Sequence, residues 1–103
     1  MSFEIRYSAA ARDDLVRLYR FLLDRASTVE DLDLVERALN AITVSVDSLS
    51  RSPFIFRKVG QSPFLRELLI PFGRSGYVAL FEIEDASTVT VLAVRHQRED
   101  DYH

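Results

Sequence analysis

Tyr77-Val78-Ala79-Leu80-Phe81-Glu82-Ile83 and Val89-Thr90-Val91-Leu92-Ala93-Val94, parted only by Glu84-Asp85-Ala86-Ser87, decide the fold. Both runs are apolar at nearly every position, which predicts strands covered on at least part of both faces. A connection this short makes the pair antiparallel. One step upstream, Phe64-Leu65-Arg66-Glu67-Leu68-Leu69-Ile70 reads as a third strand, joined to the second through Pro71-Phe72-Gly73-Arg74-Ser75-Gly76. The Gly73-Arg74-Ser75-Gly76 spacing matches neither a P-loop nor a dinucleotide fingerprint, so it is read as a hairpin turn.

Working outward toward the N-terminus, Arg51-Ser52-Pro53 ends whatever precedes it, and the stretch to Pro63 has no clean period. Within it Phe54, Ile55 and Phe56 are expected to anchor on the core. Further back, Leu32, Val35, Ala38, Leu39, Ile42, Val46 and Leu49 recur at helical spacing, with Ser27 and Glu30 in capping-box register. The acids at 30, 31, 33 and 36 load the N-terminal end of that helix, where the macrodipole favours them. An earlier helix is predicted from Ala11, Leu15, Leu18, Tyr19, Leu22 and Leu23, with Ser8 as N-cap and Asp13 and Asp14 in the first turns. Phe3-Glu4-Ile5-Arg6-Tyr7 alternates at period two, as a half-buried strand does. The order is therefore β-α-α-β-β-β. We expect a two-layer α+β domain over 1–103, with an antiparallel sheet of about four strands packed against a helical hairpin.

The chain has no Cys, so it contains neither disulfides nor thiol chemistry. No uninterrupted apolar stretch, Leu68 to Phe72 included, is long enough to cross a bilayer. The opening Met1–Arg6 lacks the apolar core of a signal peptide, and a cytoplasmic location with no membrane contact is expected. Net charge is −3, with six Arg against nine acids in residues 1–50 and seven basic against seven acidic residues in 51–103. Affinity built on phosphate neutralisation normally shows a basic excess, which is lacking here. Lys58 is the single lysine among 13 basic residues; arginine's planar fork suits oriented ion pairs, though an Arg-favouring genome explains the same bias. Two His without Cys make a metal site improbable, and no cofactor is expected.

Several segments, in this order, resemble the RelE/ParE superfamily of bacterial toxins. They are Ala10-Ala11-Arg12-Asp13-Asp14-Leu15, the Leu49 to Pro53 helix exit, Arg66-Glu67-Leu68, Tyr77-Val78-Ala79-Leu80-Phe81, and Val91-Leu92-Ala93-Val94-Arg95-His96-Gln97-Arg98. The last is the most specific, since a strand ending in His-x-Arg characterises these toxins. The resemblance implies the toxin half of a type II toxin–antitoxin pair, in a hetero-oligomer with a cognate antitoxin. It implies one of two targets: DNA gyrase, trapped on cleaved DNA by ParE-like members, or mRNA on the ribosome, cut by RelE-like members. The absence of a basic excess favours gyrase. A member that binds antitoxin without toxicity is the third alternative.

RNA cleavage requires a nucleophilic 2′-oxygen, a protonated leaving oxygen and stabilised negative charge. If the chain is a nuclease, Arg66, His96, Arg98 and Tyr102 are the candidate catalytic residues, gathered with Arg95 at the end of the sheet and with Glu67 nearby. Against this, Arg66 has an ordinary role open to it in cross-strand pairing, His96 in bonding to backbone, and Arg98 in a solvated acidic tail. Tyr19, Leu22, Leu23 and Arg95 are the candidate antitoxin contacts, the first three as a wide apolar stripe on the first helix; core packing is the alternative for them.

Overall fold

The computed structural model describes residues 2–98. Strand β1 (Glu4–Tyr7) leads into helices α1 (Ala9–Arg25) and α2 (Val29–Asp47). Two short 3-10 turns, Ser48–Ser50 and Pro53–Ile55, then connect to β2 (Arg57–Val59), β3 (Ser62–Phe72), β4 (Ser75–Asp85) and β5 (Thr88–His96). The expected two-layer α+β arrangement is present. The sheet, however, has five strands rather than about four, in the order β1-β5-β4-β3-β2, and it is mixed.

The mixed character comes from β1, which pairs parallel with β5 in the register Ile5↔Val89 and Tyr7↔Val91. Hairpins constrain β3, β4 and β5 to run antiparallel, but β1 reaches its neighbour through the helices and imposes no such constraint. The Ser8 side chain accepts the Ala11 N–H at 3.0 Å, as the predicted N-cap does, while its backbone N–H donates to Val91 O at 2.9 Å. Helix α1 therefore starts against β5 and continues along it. Helix α2 brings the chain back, and Phe3 N–H donates to Ser50 O at 2.7 Å.

The second cap lies one residue later than the Ser27–Glu30 pair anticipated. Thr28 is the N-cap, its hydroxyl accepting Asp31 N–H at 3.0 Å, and the Asp31 carboxylate reaches back to Ser27 N–H at 2.9 Å. Glu30 and Asp31 occupy the first turn of α2 as the dipole argument requires, but no acid occupies the first turn of α1. Asp13 and Asp14 lie beyond it, and Asp14 is buried.

The core lies between the helices and one face of the sheet. Ala11, Leu18, Ala38, Ile42 and Val46 meet Leu68, Ile70, Ala79, Phe81, Val89, Val91 and Val94 there. A bulge in β5 keeps that face continuous. Leu80 pairs with Ala93 and Phe81 with Val91, so Leu92 is skipped and Val94 and His96 turn toward the helices. Of the three residues expected to anchor the loop after α2, only Phe56 packs on the core, edge-on to Phe81 with centroids 6.1 Å apart. Phe54 and Ile55 are exposed, because the 3-10 turn beginning at Pro53 projects them outward.

Candidate functional site

Helix α1 covers the end of the sheet where β4 begins and β5 ends. The turn between β3 and β4 is tighter than expected: both strands extend to Phe72 and Ser75 and leave only Gly73 and Arg74 between them. This brings Phe72 beside Tyr77, ring centroids 6.3 Å apart, beneath the second half of α1. The resulting cleft of about 470 Å³ has apolar walls from Leu18, Leu22, Phe72 and Tyr77, with Phe21 half-exposed at its rim and Arg17, His96 and Arg98 around it. Burial pushes the Tyr77 phenol pKa up, so the ring enters the wall as a neutral group.

His96 stands edge-on to Tyr77 at 5.5 Å between centroids. Its Nδ1 accepts the Arg98 N–H at 3.1 Å, and its Nε2 lies 3.2 Å from Ser75 Oγ. With Nδ1 accepting, the proton of the neutral ring belongs on Nε2, directed at Ser75. The arrangement stitches the end of β5 to the β3–β4 turn.

Arg66 is elsewhere. It pairs with Phe81 across to β4, whereas His96 pairs with Tyr77. The rise along β4 between those partners is about 13 Å and two strand spacings add about 10 Å sideways, which separates Arg66 and His96 by roughly 16 Å. The Arg66 guanidinium is also committed: Nε donates to Pro63 O at 2.9 Å, and one terminal nitrogen donates to Phe54 O at 2.7 Å and Phe56 O at 2.8 Å. The anticipated gathering of Arg66, Arg95, His96 and Arg98 at one end of the sheet therefore does not occur; His96 and Arg98 alone share the cleft. Glu67, as strand parity requires, points to the opposite, helix-free face and pairs with Arg57. Tyr102 lies outside the described residues.

The four candidate partner contacts also divide. Leu22 lines the cleft. Tyr19 and Leu23 lie on the other flank of α1, since steps of about 100° per residue carry them away from Arg17 and Phe21. Arg95 folds over the edge of β5 to the Asp14 carboxylate, and it also borders a shallow depression on the helix-free face with Val59, Glu67, Val78, Leu80 and Ala93. Asp14 accepts the Val94 N–H at 2.9 Å and has Arg17 at 3.8 Å.

Arg17, Phe21, Phe72 and Tyr77 were not singled out from the sequence. Arg17, Phe21 and Arg25 follow one another at four-residue spacing, with Arg25 over the Phe21 ring at 3.8 Å, and that spacing was the available signal. Chemically, the cleft accepts apolar side chains flanked by negative charge.

Residues 5–101 match the model of the ParE toxin of type II toxin–antitoxin systems. The chain belongs to the ParE toxin family. Among curated relatives, Toxin RelE3 of Caulobacter vibrioides is 33% identical over 89 residues, covering 86% of this chain and 88% of the relative. Toxin RelE1 of the same organism is 33% identical over 96 residues, covering 93% and 95%. A chain from a structure titled as the chromosomal ParDE toxin–antitoxin system of P. aeruginosa superposes with a TM-score of 0.67 at 17% identity, over 91% of this chain and 95% of that one. Membership in the wider RelE/ParE superfamily and the α+β fold of this toxin family are thus established.

Proposed function

We propose that this toxin acts by binding rather than by cutting RNA, that DNA gyrase trapped on cleaved DNA is its target in the cytoplasm, and that a cognate antitoxin silences it. The observation that carries this reading is the separation of Arg66 from His96, with three backbone carbonyls occupying the Arg66 guanidinium. A nuclease needs its proton-transfer and charge-stabilising groups around one phosphate. The net charge of −3 points the same way, since ribosomal RNA binding draws on a basic excess. The cleft beneath α1 is the seat we assign to the antitoxin: apolar walls for its side chains, and Arg17 and Arg98 for its carboxylates.

A second reading, an mRNA endonuclease on the ribosome, is favoured by one observation, the RelE names of the two curated relatives. Expression of the chain alone from a tight promoter, with growth, DNA cleavage and transcript integrity followed together, separates the two. Arrest with cleaved DNA and intact transcripts supports gyrase. Early cuts in mRNA, abolished by His96→Ala in a protein that still folds, overturn it. Absence of arrest identifies a member that retains the fold and has lost toxicity.

A further inference from the structure

Asp14 is the one charged residue buried among the described residues. Its two carboxylate oxygens have different partners. Oδ2 accepts the Val94 N–H at 2.9 Å and is paired with the Arg95 guanidinium. Oδ1 has the Arg17 guanidinium 3.8 Å away, one turn further along α1. Arg17 belongs to the rim of the cleft beneath α1, whereas Arg95 borders the depression on the helix-free face beside Glu67 and Leu80. A single carboxylate therefore stands between two arginines that serve opposite faces of the sheet.

A buried carboxylate is strongly disfavoured unless cations and donors surround it. The two ion pairs are unequal. Arg95 is in contact with Oδ2, but 3.8 Å is beyond hydrogen-bond reach, so Asp14 draws Arg17 by charge and leaves it room to turn over the cleft. The two guanidinium groups repel each other, and each weakens the hold of Asp14 on the other. We infer that Asp14 is a positioning residue that couples the two faces of the sheet through these arginines. While Arg95 neutralises it, Arg17 is released to the cleft. When an anionic group on the helix-free face draws Arg95 away, Asp14 takes Arg17 back. Acidic groups in the cleft and anionic groups on the helix-free face thus oppose each other, and the opposition is reciprocal. The coupling stands on three side chains alone; its bearing on the antitoxin rests on the seat assigned to that partner above.

Arg95→Gln in the full chain stands in for the withdrawn arginine. Exchange of the Arg17 Nε–H with water, followed by NMR, is expected to slow about threefold in that variant. In an Asp14→Asn background, where a side-chain oxygen can still accept the Val94 N–H, Arg95→Gln should leave Arg17 exchange unchanged. The capped peptide Glu-Leu-Trp-Glu, followed by the amide shifts of Phe72 and Tyr77, should bind Arg95→Gln roughly fivefold more weakly than the unaltered chain. It should bind Asp14→Asn equally with and without Arg95→Gln. Arg17 exchange indifferent to Arg95→Gln, or a response that survives Asp14→Asn, would overturn the coupling. The expected exchange pattern with a peptide that leaves Phe72 and Tyr77 unshifted supports the coupling and counts against the antitoxin seat instead.

Discussion

The Asp14 carboxylate accepts the backbone N–H of Val94, 2.9 Å away, at a point where β5 has run past the end of its neighbour β1. The Ser8 hydroxyl donates to Leu92 O at 3.2 Å on the same edge. Two side chains of one helix entrance thus continue the ladder that a longer β1 would have made, and Arg95 closes over Asp14 from the strand side. An unpaired strand edge invites pairing with other chains, and here α1 blocks it. Asp14→Ala leaves the Val94 amide unsatisfied and removes the anchor of Arg95. Urea denaturation is expected to show a loss of about 2 kcal/mol.

Gly76 has φ +117, and a Cβ added there would lie 2.1 Å from Ile70 O. Its own carbonyl accepts the Gln97 N–H at 2.9 Å, so the backbone is held from both sides. Gly76→Ala should cost about 3 kcal/mol through strain and displacement of β3. A thermal melt measures it, and Gly73→Ala, with open space around its Cβ, provides the milder comparison.

Arg66→Lys keeps the charge but not the fork that spans Pro63, Phe54 and Phe56. We expect a loss of about 2 kcal/mol and faster amide hydrogen exchange concentrated in the turn after α2, with the cleft beneath α1 unaltered. Exchange that accelerates uniformly across the sheet would contradict this local role.

Asp31 has its pKa lowered, chiefly by the hydrogen bond from the Ser27 backbone. A depressed folded-state pKa means that its stabilisation is complete above the ordinary carboxylate value and is lost as the pH falls through the lower, folded value. Asp31→Asn should therefore melt below the unaltered protein at neutral pH. The two melting temperatures should converge as the medium is acidified past that window.

The strands of the hairpin series were legible because Tyr77 to Ile83 and Val89 to Val94 are each apolar at nearly every position, and both helices because their stripes repeat over several turns. Strand β2 was not: three residues, Arg57-Lys58-Val59, carry no period, and only their partner Glu67–Arg66 makes them a strand. The position of Asp14 was readable in principle, since it lies between Ala11 and Leu18 on the buried stripe of α1. Its charge suggested a dipole role instead, because the hydrogen bond that justifies its burial comes from a residue 80 positions away. The separation of Arg66 from His96 was illegible for a related reason: it follows from the pairing of Arg66 with Phe81 and of His96 with Tyr77, contacts made only in the folded sheet. Strand parity was a sound guide for Glu67, but the face that His96 meets depends on the bulge at Leu92, which the pairing of two strands creates and neither sequence run announces.

Strand β1 joins Ile5 to Val89, residues far apart along the chain. During synthesis the first strand leaves the ribosome long before its neighbour exists, and closing so long a loop is among the slower steps of folding. A nascent copy truncated before β5 has no place to put β1 and no edge for Asp14 to seal. The five-stranded sheet can close only once Thr88–His96 has been made, so copies terminated before that strand are expected to lack the completed fold and the cleft beneath α1.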